Sequence, residues 1–345
     1  MGLLSRPRYA YRVVRNAMHL RDWRYGREIA DRKLPVAGLS VNKRGLHFAD
    51  LGITFPHGDE SFYMHLESAV LLKRLAGVNF HDSEQGTTAT APGFTVHVNS
   101  GEEFYILREI LCDGAYNFGT AAENVVVWDI GMNAGFASLY FAARPSVRAV
   151  VSFEPFRPTF DAAVRNVGLN PELRTKIKMH NFGIAANAYS TTAEYNSTWK
   201  GHSSVRGISS SEREQLNIPD RALTVERIEL HPADEVLRSI LADYPNHTVV
   251  AKIDCEGSEY EILRRLYEKR LLQKINIIML EWHQHGPAEL EGILHESGFS
   301  TYSLASAASD VGMIYAINQS GPDHEEQAET SLASSNSSET KASAR

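Results

Sequence analysis

The sequence has little of what would mark a secreted, membrane-spanning or nucleic-acid-binding chain. Only two cysteines, Cys112 and Cys255, occur in 345 residues, and neither stands in a CxxC or a Cys/His cluster. That excludes a disulfide framework and a thiolate metal site. No apolar run reaches the roughly 18–20 residues needed to cross a bilayer. The opening residues, MGLLSRPRYAYRVVRN, have no apolar signal core, and Arg6 stands where N-myristoylation wants Ser or Thr. A reducing, cytoplasmic setting is expected. The formal net charge is −7, so the chain lacks the overall basic excess that neutralising nucleic-acid phosphates requires.

Basic residues are nevertheless concentrated at one end. Between Met1 and Arg44 there are eleven Lys/Arg against three acids, Asp22, Glu28 and Asp31. Leu3, Leu4, Tyr9, Tyr11, Val13, Val14, Met18, Leu20, Trp23 and Tyr25 are interleaved with them. The pattern predicts a helix packed on the rest of the chain, interrupted by Pro7 and Gly26. A weak peripheral contact with an anionic membrane is the alternative.

With 43% hydrophobic residues the chain has ample material for a buried core. Its strongest local signal is residues 125–135, VVVWDIGMNAG. Val125 to Trp128 form a continuous apolar, β-rich run, which suits a central strand of a parallel sheet buried on both faces. Asp129 closes the run, Gly131 and Gly135 bracket a turn, and residues 136–143 have helical composition. Strand, glycine turn and helix together let backbone approach a ligand, while the free N–H groups of a helix start attract polar groups.

A second strand, residues 150–153, ends in Glu154, about twenty residues beyond Gly131, where a carboxylate can accept both hydroxyls of a ribose. The dinucleotide pattern G-x-G-x-x-G is absent, because Asn133 stands where its second glycine would be. That disfavours a pyrophosphate. Asp129 beside the turn instead suits a cationic, amino-acid-like group such as that of S-adenosylmethionine (SAM).

Further along, 157–169 reads as a helix, 177–182 as a strand broken by Gly183, and 190–195 as a polar strand. The Ser- and Gly-rich stretch 196–222 is too long for an ordinary connection and is expected to face substrate. A strand at 223–230, a helix at 232–244, an apolar strand at 249–254 and a helix at 259–270 follow. Residues 275–281 form another buried strand, then come a helix at 287–297 and two closing strands at 299–304 and 311–317. The tail 319–345 has almost nothing to bury and is expected to be disordered. Residues 36–124 read as short strands and turns around helical pieces at 61–75 and 102–112.

Three apolar strands thus end in acids, Asp129, Asp254 and Glu281, at one edge of a sheet. In Lys252-Ile253-Asp254-Cys255-Glu256-Gly257-Ser258-Glu259, Asp254 sits at the strand tip and Gly257 in the turn. Glu259 falls in the first helical turn, where the helix dipole favours an acid.

From about residue 106 to 317 the chain resembles the FkbM-type SAM-dependent methyltransferases. The resemblance is carried by Asp129-Ile130-Gly131-Met132-Asn133-Ala134-Gly135, by Phe153-Glu154-Pro155, by Asn166 and Asn170, by Lys252 to Glu259 as K-I-D-x-E-G-x-E, and by Glu281. Met132, Cys255 and the long serine-rich insert depart from the pattern. The resemblance implies an α/β fold, a Rossmann-like seven-stranded class I methyltransferase sheet whose last strand is antiparallel. It also implies O-methylation of a hydroxyl on a sugar, glycolipid or natural product. The expected organisation is an N-terminal extension or cap over 1–105, the methyltransferase domain over 106–318 and the tail.

Asp129, Gly131, Asn133, Gly135, Glu154 and Glu281 are the expected SAM-binding residues. A hydroxyl acceptor also needs a base, for which Asp254, Glu256, His202 and His283 are the candidates. A divalent cation on Asp254 and Glu256 is an alternative and not part of the primary expectation. The expected partner is a small-molecule or glycan acceptor. A noncatalytic binding protein would have little use for Asp129, Glu154, Asp254 and Glu281 together, and a nicotinamide oxidoreductase would need the missing glycine.

Overall fold

The computed structural model describes residues 5–31, 38–57, 62–83, 86–196, 223–305 and 310–319. The serine-rich stretch with His202 lies outside the described residues except for Asn196, and so does the tail except for Gln319. The chain divides into two compact units, Met1–Gly114 and Ala115–Arg345. The helix that crosses the expected boundary at 105/106 therefore belongs to the first unit.

In the first unit α1 (Ser5–Leu20) and α2 (Trp23–Asp31) pack on each other. Gly26, an interruption by composition, is their contact point, since a Cβ there would lie 2.5 Å from the Ala17 backbone. Strands β1 (Leu39–Val41), β2 (Gly45–Phe48) and β3 (Ile53–Pro56) form an antiparallel sheet. Helix α3 (Phe62–Leu75) comes next. A second antiparallel sheet contains β4 (Asn79–Ser83), β5 (Gly86–Ala91) and β6 (Phe94–Val98). Helix α4 (Gly101–Arg108) starts at Ser100, whose hydroxyl accepts from the Glu103 N–H, a favourable N-cap. It runs into a π turn, Glu109–Asp113, which Gly114 ends in the left-handed region.

The second unit contains β7 (Val125–Ile130), α5 (Phe136–Ala142), β8 (Val147–Phe153), α6 (Arg157–Gly168), the short α7 (Pro171–Arg174) and β9 (Ile177–His180). Next come β10 (Gly183–Ala185), β11 (Tyr189–Asn196), β12 (Leu223–Pro232), α8 (Ala233–Asp243), β13 (Thr248–Ile253) and α9 (Glu259–Glu268). The unit closes with β14 (Ile277–His283), α10 (Ala288–Glu296), β15 (Phe299–Ala305) and β16 (Val311–Asn318).

Seven of these strands form one sheet in the order β15-β16-β14-β13-β7-β8-β9. β14, β13, β7, β8 and β9 are parallel, while β16 runs antiparallel to both β14 and β15. This is the expected class I methyltransferase topology. Every residue of β7 is buried, as its unbroken apolar run requires. Trp128 shares a core cluster with Leu237 and Ile240 of α8 and Leu263 of α9. Cutting it back to alanine would cost about 3–5 kcal/mol.

A smaller sheet, β10-β12-β11, is not foreseen as a unit by the sequence pattern. β10 is wholly buried, β11 and β12 interleave mostly polar exposed positions with buried ones, and Phe156, Ala193, Tyr195 and Ile228 close a satellite core beside the sheet. The pairing of β11 with β12 spans the serine-rich stretch, and local composition carries no signal for such a contact.

Candidate active site

The parallel register aligns the carboxyl ends of the central strands. Ile253 pairs with Ile130, Ile130 with Phe153, and Ile253 with Leu280. Residues just past those positions meet at one edge, which is where open α/β sheets bind ligands.

The turn after β7 has no spare amide. The N–H groups of Gly131 and Met132 both donate to the Phe153 carbonyl, and that of Gly135 donates to the Met132 carbonyl. The Asn133 N–H donates to Glu154 Oε2 at 3.0 Å, and the Ala134 N–H to Asn133 Oδ1 at 2.6 Å. Asn133 adopts a left-handed φ of 50° to do this. Behind the turn, the Asn166 side chain donates to the Ala134 carbonyl and the Asn170 side chain to the Asn166 carbonyl. The two asparagines therefore brace the turn.

By sequence, Gly131 lets a ligand approach the backbone. In the structure a Cβ there would lie 1.7 Å from the Asp254 carbonyl oxygen, so the glycine makes room for the neighbouring strand tip. Asp129, expected to meet the cofactor, is instead fully buried. Its Oδ2 accepts from the Ser138 hydroxyl at 2.5 Å, and Lys252 Nζ stands 3.6 Å from its Oδ1. Buried ion pairs of this kind fix an arrangement, because separating one strands a charge. Lys252 also donates to the Gly131 and Ile130 carbonyls and lies 3.3 Å from Asp254 Oδ2. Burial works against its ammonium, but Asp254 and Asp129 outweigh that and raise its pKa. One buried lysine thus ties the D-I-G turn to the K-I-D-x-E strand tip.

Glu154 sits at the tip of β8 with 6% of its surface exposed. Its Oε1 accepts from the Phe156 N–H, completing a two-amide clamp with Asn133. Burial dominates nonetheless and pushes its pKa up to about 7, with the two amides and Lys252 opposing. A carboxylate so placed gains from any further hydrogen-bond donor.

On the other side of the turn stand Asp254, Glu256 and His283, each offering a ligand atom within 4.8 Å of the others. Burial raises Asp254, but Lys252, His283 and the Tyr116 hydroxyl, 3.0 Å from Oδ2, hold its carboxyl below the ordinary range. Burial pushes Glu256 well up; Asp254, Glu281 and Glu259 add to this and His283 opposes it. His283 is pulled down by burial, yet Glu259, Glu256 and Asp254 lift it to about 10. The cluster therefore sets an ionised Asp254 beside the cationic Lys252 and His283. Glu281, half-buried, groups with this set, since its charge acts on both Lys252 and Glu256.

The family model described as the methyltransferase FkbM domain matches residues 129–301. The chain belongs to the FkbM methyltransferase family. Among its relatives is the methyltransferase sdnD of Sordaria araneosa, 25% identical over 57% of this chain and 82% of that protein. The AMB antimetabolite synthetase AmbE of Pseudomonas aeruginosa is 26% identical over 54% of this chain, which spans only 10% of that protein. A solved methyltransferase FkbM from Methylobacillus flagellatus is 14% identical with a TM-score of 0.38, covering 63% of this chain and 50% of its own.

Three residues of this FkbM-family chain have roles that composition does not reveal. Glu259, which a helix dipole would explain, is fully buried, and its Oε1 accepts from the Cys255 and Gly257 N–H groups and from His283 Nδ1. Lys252 and Tyr116 are the other two. Lys252 inside K-I-D is the available signal, because a lysine ending an apolar strand needs buried counter-charges. Tyr116 carries none. His202 lies outside the described residues.

Proposed function

We propose that this protein transfers the methyl group of SAM to a hydroxyl oxygen of a sugar, glycolipid or natural product. The observation that carries the choice of donor is the saturated turn. All five amides from Gly131 to Gly135 already have acceptors, so the turn itself offers no N–H cradle to a pyrophosphate. A nicotinamide dinucleotide fits poorly, whereas Glu154 suits the paired hydroxyls of an adenosine ribose.

SAM supplies an electrophilic methyl group on a sulfonium. Glu154 orients its ribose, and Asp129 and Lys252 hold the turn and the Asp254 tip in fixed register. Such alignment can supply roughly 7–11 kcal/mol of the barrier to an in-line displacement. A neutral hydroxyl must also lose a proton as its oxygen attacks. Asp254, whose carboxyl Lys252 and His283 keep ionised, accepts it, while Glu256 and His283 orient the acceptor. General-base assistance of this kind contributes about 10²–10⁴-fold. This acid and imidazole cluster beside the donor site supports an oxygen acceptor over a thioether, which has no proton to lose.

Calorimetric titration with SAM and with NADH tests the donor, and incubation of extracts with SAM, followed by mass spectrometry for products one methylene heavier, tests the transfer. Binding of NADH without SAM would overturn the reading.

A further inference from the structure

His283 is more than nine-tenths buried, and its two ring nitrogens face different tasks. Nδ1 donates to Glu259 Oε1 at 2.8 Å. Glu259 is itself held by backbone N–H groups of the turn that carries Asp254 and Glu256. Nε2 points the other way, 3.6 Å from Glu256 Oε2 and outside hydrogen-bond range, with no hydrogen bond to any described residue. Asp254 completes the set. A carboxylate behind a buried imidazole, leaving the far nitrogen aimed at two further carboxylates, is how proteins present histidine to a metal.

We propose that Asp254, Glu256 and His283 bind a divalent transition-metal ion. Ligand atoms about 2.1 Å from one ion lie no more than about 4.2 Å apart, so small side-chain adjustments close the present spacing. One imidazole with two carboxylates suits Mn²⁺, Fe²⁺ or Zn²⁺ better than Mg²⁺ or Ca²⁺, which favour oxygen alone. This deepens the proposed methyl transfer and rests on it for the ion's task. The cation binds the acceptor oxygen and lowers its pKa. With Asp254 bound to the ion it no longer serves as the proton acceptor, so the O–H proton leaves to water, the oxygen forms the new O–C bond, and the C–S bond to the sulfonium breaks.

Metal binding is read separately from activity. Full-length protein, stripped with chelator and without SAM, is titrated with Mn²⁺ by calorimetry and by electron paramagnetic resonance of the free ion. One site per chain is expected, weakened at least tenfold by Glu256→Gln and by Asp254→Asn. Thermal melts with and without Mn²⁺ serve for His283→Gln, whose fold is more at risk, and should show no metal-dependent shift. Absence of binding of both Mn²⁺ and Zn²⁺, or binding that Glu256→Gln and Asp254→Asn leave unchanged, overturns the proposal. Methyl transfer that survives chelation would keep the enzyme reading and remove the metal, whereas metal binding without SAM binding would do the reverse.

A separate observation concerns the first unit. Helix α1 buries Asn16, Ala17 and Leu20 and leaves Tyr11, Val14 and Met18, at the spacing of one helical face, in solvent. Tyr11 is 67% exposed, Met18 72% and nearby Trp23 65%. Arg8, Arg15, Arg21 and Arg24 are exposed around them. We infer that this face docks on an anionic lipid surface, where an apolar stripe enters the interface and arginines meet the headgroups. The full chain should sediment with phosphatidylserine-containing vesicles at low salt, less at high salt, and less again as Met18→Ser/Trp23→Ser. No sedimentation at low salt, or equal sedimentation with purely zwitterionic vesicles, overturns it.

Discussion

Replacing Glu154 by glutamine tests both the electrostatics and the donor site. The folded protein holds the Glu154 proton up to about pH 7, against an ordinary value of 4.5. Between those values the native state binds more protons than the unfolded chain, so the stability that Glu154 contributes is lost as pH rises through this window. Integrating the two titrations from pH 5 to pH 8 gives a loss of roughly 2.5 kcal/mol, an order-of-magnitude figure. Glutamine cannot ionise, so the variant escapes it. Its amide accepts well from only one of the Asn133 and Phe156 N–H groups, a cost that does not vary with pH.

The test is therefore the pH dependence of the difference between the two proteins. Relative to wild type, Glu154→Gln should gain roughly 5–10 °C in melting temperature between pH 5 and pH 8, for a unit of this size. Other titrating groups are common to both proteins and cancel. If ribose hydroxyls donate to the carboxylate, SAM affinity in the wild type should rise by up to about tenfold per pH unit below pH 7 and flatten above it. The variant should bind weakly and without that slope. A melting difference that stays constant with pH would refute the buried, proton-holding carboxyl, and a pH-independent SAM affinity would refute its role in holding the donor.

Asp254→Asn and Glu256→Gln should each lower turnover at least about 10²-fold while SAM affinity changes much less; full turnover in both would move the chemistry elsewhere. Lys252→Met leaves the buried Asp129 carboxylate without its cation and should cost about 3–5 kcal/mol, read as a lower denaturation midpoint, whereas an unchanged midpoint would show that the Asp129–Lys252 pairing does not stabilise the fold. Gly131→Ala forces a Cβ against the Asp254 carbonyl at a left-handed φ of 79° and should destabilise by at least about 2 kcal/mol; a variant as stable as wild type would contradict the close approach of the two strand tips.

The sheet is legible in the sequence because strands buried on both faces, such as β7, β13 and β14, write themselves as apolar runs, and the acids that end them mark the functional edge. The sheet of β10, β11 and β12 is not, since its pairings are long-range and its exposed faces are polar. Glu259 misleads for a different reason. An acid in a first helical turn has a common local explanation, and its true partner, His283, lies on another strand. Tyr116 likewise reaches Asp254 across the sequence, and no window of residues could join them.

Gly131 carries the same lesson into the site. As a sequence feature it signals a ligand against the backbone, but the space its missing side chain leaves is filled by the Asp254 carbonyl, and its own carbonyl accepts from Lys252. The D-I-G turn and the K-I-D-x-E strand tip are therefore one mechanical element rather than two adjoining sites. A change that shifts the turn must shift Asp254 with it. Donor binding and proton removal should then fail together when the lysine or the glycine is altered, and separately when the Glu154 or the Asp254 side chain is.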